Sequence, residues 1–187
     1  RYPVTGARMS FEPVRKDLPI YMAALGPRMT ELAAEIANGV YVHAHGPEDL
    51  SAVRKRISTG SERASRDPAE CRLAALLMLC VGDDEDAAFE TVREALAGYL
   101  TYDSYQRHIS RLGYGSALTQ MGALLGQGDI RGAARFVPNE LVERVSVHGS
   151  VASCRKRVAE YFAAGANVVI LSPRPVAQSD RRATDPM

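Results

Sequence analysis

Short apolar runs of strand length alternate along this chain with longer stretches whose apolar residues recur at helical spacing, and that alternation commits it to βα units around a parallel sheet. The runs are residues 20–24, 40–44, 73–81, 145–148 and 168–171. The third is apolar throughout, as a strand covered on both faces should be. After the first run, Gly26 and Pro27 punctuate, Met29, Leu32, Ala33 and Ile36 repeat at helical spacing, and Gly39 is placed to stop the helix. Gly46-Pro47-Glu48-Asp49 opens a second helix with Leu50, Val53 and Ile57 on one face. Asp83 is the candidate cap of a third helix, whose first turn holds Asp84, Glu85 and Asp86 near the positive end of the dipole. Ser150 caps a later helix whose Val158, Tyr161 and Phe162 face inward and which ends at Gly165. Residues 103–142 are helical with breaks at Gly113, Gly115, Gly126 and Gly128, too long for an ordinary βα connection and read as an insertion of short helices. Residues 4–7 read as a turn.

Five strands and at least four crossover helices amount to roughly half to two-thirds of an eight-stranded barrel. The expected fold is therefore α/β, a partial (β/α)8 TIM-type barrel of about the last four to five βα units with a helical insertion, its strands in consecutive barrel positions. Residues 1–173 form the barrel-derived domain, and 174–187, charged and proline-containing, form a disordered tail. A partial barrel has open strand edges, which predicts a homo-oligomer or other association through them. At 46% apolar residues the chain can bury a core, and 23 basic against 22 acidic residues leave a net charge of +1 with no long run of either sign. Neither nucleic acid nor a membrane is an expected partner. No stretch approaches the roughly 20 apolar residues of a membrane span, and there is no basic-then-apolar leader, so a cytoplasmic location is expected. Cys71, Cys80 and Cys154 are far apart and form no CxxC, which points to reduced thiols and no metal centre. The chain opens with Arg1, not Met, and a longer parent protein is expected.

Two blocks carry a resemblance. PIYMAALGPRMTELAAEIANGV, residues 19–40, and VPNELVERVSVHGSVASCRKRVAEYFAAGANVVILSP, residues 137–173, resemble in wording, order and separation the C-terminal part of the luciferase-like flavin and deazaflavin oxidoreductases. The resemblance implies a (β/α)8 barrel, coenzyme F420 or FMN at its C-terminal face, with F420 favoured by the AALGPRM wording, and hydride transfer to or from a small organic substrate. It also implies several leading βα units ahead of the first block. Ala37-Asn38-Gly39 replaces the family's ADG, and His43 and His45 stand where many relatives are apolar.

The turn Ala24-Leu25-Gly26-Pro27-Arg28-Met29 is the candidate cofactor site. Small side chains let a phosphate approach the backbone, and the helix that follows offers unpaired N–H groups and a favourable dipole. Leu25, Gly26, Arg28 and Met29 are the candidate backbone donors; Pro27 has no N–H, and the Arg28 side chain adds charge. The plain alternative is that Gly-Pro is only a good way to start a helix. Tyr41, His43 and His45 alternate, so in an extended strand all three share a face, with His43 and His45 as candidate substrate-pocket residues at the ligand-binding end. Packing, or a metal held with His148, are the other readings of the two histidines. Tyr99, Tyr102, Tyr105 and Tyr114, near Arg107 and His108, suit an active-site lid or ordinary packing. Cys154 reads as a packed thiol and Arg54, Lys55, Arg56 and Arg63 as a solvated face. No catalytic residue is assigned. The alternatives to an oxidoreductase are a truncated, non-catalytic flavin-binding or assembly partner of the same superfamily, and a metal-dependent hydrolase on His43, His45 and His148.

Overall fold

A computed structural model describes residues 5, 6, 8, 10–12, 14, 15 and 17–176. The turn read at 4–7 and residues 177–187 of the tail lie, wholly or in part, outside the described residues. In chain order the elements are β1 (Tyr21–Ala23), α1 (Pro27–Ile36), β2 (Gly39–His43), α2 (Leu50–Arg63), β3 (Arg72–Val81), α3 (Glu85–Tyr99), α4 (Asp103–Ile109), a kinked turn (Ser110–Tyr114) broken at Gly113, α5 (Gly115–Gly126), α6 (Ile130–Ala134), α7 (Asn139–Val145), β4 (Ser146–Gly149), α8 (Val151–Ala163) and β5 (Val168–Pro173). Every strand pairing is parallel. The long apolar β3 is the hub, because it alone pairs with three strands.

Register corrects the expectation of five consecutive barrel strands. β5 runs beside β3 from Ala74 to Leu79, β2 pairs only with Arg72–Leu76, and β4 only with Met78–Val81. Since β5 overlaps both in register, β2 and β4 must share the opposite edge of β3, one above the other. The wall is thus β1-β2-β3-β5, four strands, and β4 is a short upper piece that sequence alone could not distinguish from a wall strand.

One face of this wall is covered by α1, α2 and α8. Val40, Val42, Leu73, Ala75 and Leu77 meet Ala33, Ala34, Leu50, Val53, Ile57 and Tyr161 in a buried cluster. On the other face only the upper end is covered: Met78 and Cys80 join Ala88, Val92 and Leu96 of α3 and Ile109, Met121 and Leu141 of the later helices. α3 therefore belongs to the helical cap with the insertion and is not a crossover helix on the wall. Lower on this face, Tyr21, Tyr41 and Leu76 are partly buried, and Ala23 and Ile170 are exposed.

Other details depart from expectation. Asp84, not Asp83, caps α3, its carboxylate accepting from Ala87 N–H at 3.0 Å. Ala37 ends α1 and Gly39 is already in β2. Met29, Leu32 and Ile36 are exposed, while Thr30, Ala33 and Ala34 form the buried face of α1. Phe162 is half-exposed whereas Tyr161 is fully buried, its hydroxyl donating to the His45 carbonyl at 2.9 Å. Arg54 is no solvated residue: its guanidinium donates to the carbonyls of Gly165 and Cys71 and to Asn167 Oδ1. Arg174, placed in the tail by sequence, donates its N–H to the Leu79 carbonyl at 2.7 Å. Ser150 does cap α8, accepting from Ser153 N–H, and Cys154 is buried with its thiol pKa pushed up by that burial.

Candidate functional site

The upper ends of β1 and β2 turn into α1 and α2 directly beneath α4. Ala24 is buried and pinned by its N–H to the Tyr41 carbonyl at 2.8 Å. Gly26 caps α1 in an extended conformation (φ −124°), and its carbonyl accepts from Thr30 N–H at 3.0 Å and Thr30 Oγ1 at 3.1 Å. No side chain caps this helix. Pro27 has no N–H to offer, and the amides of Arg28 and Met29 fall in the first turn, where no intrahelical acceptor exists.

A cavity of about 440 Å³ opens at this turn. Ala23, Ala24, Leu25, Gly26 and Met29 form one side, and Tyr41 and His43 of β2 form its floor. Ser104, Tyr105 and Arg107 of α4, with Arg111 of the kinked turn, close the other side. Pro27 and the exposed Arg28 belong to the same turn but do not line the cavity, and neither does His45. Two guanidinium groups and no carboxylate face the space. Arg111 lies so close that a β-carbon on Gly26 would sit 3.5 Å from its Nη1.

His43 is 3% exposed and shares a 2.7 Å hydrogen bond between its Nδ1 and the Tyr105 hydroxyl. Its ring stands edge-on to Tyr99, with centroids 4.6 Å apart. Nε2 is buried and has no partner. Burial, reinforced by the nearby His108 and Arg174, pulls the His43 pKa down to about 4, so the ring is neutral near pH 7. Burial and the neighbouring Tyr99 push Tyr105 up to about 12, keeping the phenol protonated as well.

His45 does not share the face of Tyr41 and His43. Ala44 adopts φ +55°, ending the extended alternation, and His45 folds back to donate from Nδ1 to the His43 carbonyl at 2.9 Å. It stacks on His108, centroids 4.2 Å apart, while His108 Nε2 donates to the Ala44 carbonyl at 2.6 Å. Burial first, then His108, brings His45 to about 4. These contacts clamp α4 onto both turns. His148 lies apart, lining a separate cavity of about 1010 Å³ with its Nε2 3.5 Å from a Glu143 carboxylate oxygen. The three histidines weighed as metal ligands therefore do not converge, and among the described residues no group of three or more His, Cys, Asp or Glu is arranged to hold a metal.

Sequence reasoning missed Ser104 and Arg111 as site residues and left Tyr105 and Arg107 between lid and packing. The available signal was the spacing: Ser104, Arg107, His108 and Arg111 recur at three- and four-residue intervals on one face of a helix.

A family model described as luciferase-like monooxygenase matches residues 1–167. The chain belongs to the luciferase-like monooxygenase family. Within that family it is 31% identical over 169 residues to a 5,10-methylenetetrahydromethanopterin reductase of Methanolobus tindarius, an alignment that covers 88% of this chain and 50% of that one. Among solved structures it is similar to the coenzyme F420-dependent tetrahydromethanopterin reductase of Methanopyrus kandleri, with a TM-score of 0.69, 30% identity, and 85% and 46% of the two chains covered. An F420-dependent secondary alcohol dehydrogenase in complex with an F420-acetone adduct shares the fold at a TM-score of 0.65 and 18% identity, with 90% and 47% covered. The chain spans about half the length of the relatives it matches. Four wall strands of a luciferase-like barrel agree with that share. Among the described residues no helix is long and apolar enough to cross a membrane.

Proposed function

We propose that the chain forms the cofactor-binding side of a cytoplasmic deazaflavin-dependent oxidoreductase, with the phosphate of coenzyme F420 at the β1–α1 turn and a small organic substrate beside it. The observation that carries this reading is an uncapped helix N-terminus opening into a cavity with two guanidinium groups and no carboxylate. Such a site favours an anion. Ala24 and Gly26 keep side-chain bulk off the backbone, so the N–H groups of Leu25, Gly26, Arg28 and Met29 serve as donors, with the Arg28 side chain adding charge from outside. When bound, the deazaflavin supplies the carbon that accepts or releases a hydride. The protein's share is positioning. His43 and Tyr105, both uncharged near pH 7, line the cavity without placing a charge there. His45 acts from behind, holding α4 through His108. F420 is preferred over FMN because the relatives named above that state a cofactor are F420 enzymes.

Absorbance titration of the purified protein with F420 and with FMN tests the reading: saturable binding of F420, tighter than of FMN, is expected. Tighter FMN binding would reassign the cofactor, and binding of neither would remove the proposal. The other reading is a non-catalytic binding or assembly partner of the same superfamily. Cofactor binding without turnover of any alcohol or reduced pterin would select it.

A further inference from the structure

We propose that the stacked pair His45–His108 is an acid-sensitive latch: while both rings are neutral it holds α4 against the turns that follow β1 and β2, and when protons load onto them α4 comes away and the cavity loses that side. The proposal stands on the packing of α4 and holds whatever ligand the cavity takes. With seven residues, α4 is shorter than a helix that persists by itself. It stays in place through what its side chains touch. Toward the cap that is Ile109, fully buried in the apolar cluster with Val92, Leu96 and Met121. Toward the wall its polar contacts run through imidazoles. The Tyr105 hydroxyl shares a 2.7 Å hydrogen bond with His43 Nδ1, His108 Nε2 donates to the Ala44 carbonyl at 2.6 Å, and the His108 ring lies on that of His45 with centroids 4.2 Å apart. His45 is fixed in turn by donating from Nδ1 to the His43 carbonyl and by the Tyr161 hydroxyl, which donates to its own carbonyl.

Stacked rings at this separation repel once both are charged, and burial leads the lowering of both pKa values, of His45 to about 4 and of His108 in the same direction. The charges around the pair are divided. Asp49, where α2 begins, favours the charged rings, as do the carbonyls of His43 toward His45 and of Ala44 and Leu25 toward His108. The Asp49 carboxylate is already held by the Arg144 guanidinium of α7 and by the Gly46 N–H. His43 opposes charge on His45, and Arg111 of the kinked turn opposes it on His108. Tyr161 of α8 is uncharged, its phenol pushed up by burial. Once α4 lifts, both rings meet water and titrate near their ordinary 6.5. The closed form therefore refuses protons that the open form binds, so the latch is complete above about pH 6.5 and weakens as pH falls toward 4. For His45 alone the ratio of open to closed rises about tenfold between pH 7.5 and 5.5, and His108 adds to it. The Arg144–Asp49 pair keeps its charges over that range, so the cap stays tied to the start of α2 while α4 lets go.

Amide hydrogen exchange in the protein as its gene encodes it, at pH 7.5 and 5.5 and corrected for the pH dependence of chemical exchange, tests the latch. Opening of residues 103–109 is expected to rise about tenfold or more on acidification, while residues 72–81 of β3 exchange far more slowly at both pH values. His45→Gln keeps a hydrogen-bond donor but cannot titrate, and should remove about a tenfold share of that rise. His45→Gln with His108→Gln should remove most of the rest. Equal opening of residues 103–109 at the two pH values would overturn the proposal. So would one common exchange rate for these residues and β3, which means whole-chain unfolding, or a double variant that keeps the parent's pH dependence. A nitrogen-15 NMR titration of the imidazoles needs no variant to fold: the His45 ring is expected to take up its proton well below pH 6.5, and an ordinary titration near 6.5 would mean that α4 is not held by a neutral pair.

Discussion

His43 is one of three buried histidines, with His45 and His108, that shape the pH response of the site. Its ring is neutral in the fold with a pKa near 4, against about 6.5 when exposed, so between those values the unfolded chain takes up a proton that the folded chain refuses. Stability contributed by the neutral ring is complete above pH 6.5 and is lost as pH falls toward 4, on the order of 3 kcal/mol for this one group. Denaturant unfolding at pH 7 and pH 4.5 should show a slope of that sign, and His43→Gln should reduce it without removing it, because burial lowers His45 to about 4 and lowers His108 as well. At Gly26 the structure changes the reason for a substitution effect. φ is −124°, open to any residue, so Gly26→Val does not strain the turn; its branches crowd Arg111 and cover the amides. Cofactor affinity should drop by about tenfold or more if one charge-assisted contact is lost, with Arg28→Ala giving a smaller, salt-sensitive loss at its exposed position; unchanged affinity in folded Gly26→Val would make the turn only a helix start. The turn was legible because small residues followed by Gly-Pro have a backbone meaning on their own. His45 was misplaced because alternation assumes an extended strand, and nothing in the sequence announces the positive φ of Ala44.

Among the helices, α1 and α2 form the most extensively packed pair, and Gly60 lets them approach. A β-carbon there would lie 2.8 Å from the Glu31 carbonyl carbon and nearer still to its oxygen. Both are backbone atoms and cannot swing away. Gly60→Ala should therefore push the helices apart and cost about 1–3 kcal/mol, the usual penalty of overpacking, read as a lower denaturant midpoint at constant slope. Gly60 drew no notice in the sequence because a glycine inside a helical pattern looks like a weak position, and its need for closeness exists only once α1 is beside it. Strand locations were legible to within a residue or two, since each is an apolar run bounded by turn residues. Their arrangement was less so. β4 and the wall strands have the same short apolar signature, and only the register along β3 separates them. The helical stripe of α1 misled for a related reason: Met29, Leu32 and Ile36 do form a stripe, but the wall takes the smaller Ala33 and Ala34, which allow a close approach.

For the molecule as a whole, the decisive fact among the described residues is a four-stranded wall with one edge of β1 and one edge of β5 unpaired, a lower face that is only partly buried, and Met29, Leu32 and Ile36 exposed on α1. Unpaired edges next to apolar surface recruit further chain. The 187-residue chain alone is expected to associate at micromolar concentration, seen as a rising sedimentation coefficient; a compact monomer at every concentration would contradict this. The cap is anchored differently. Where β3 ends, Gly82 donates its N–H to the carbonyl of Gly149 at 3.0 Å, so the point at which the chain leaves the wall touches the point at which it returns. A detour whose two ends already meet places no demand on the path between them. The pairings of β1 with β2, β2 with β3 and β3 with β5 use no residue between Asp83 and Gly149, so the wall's strand order does not depend on that detour for its ladder hydrogen bonds.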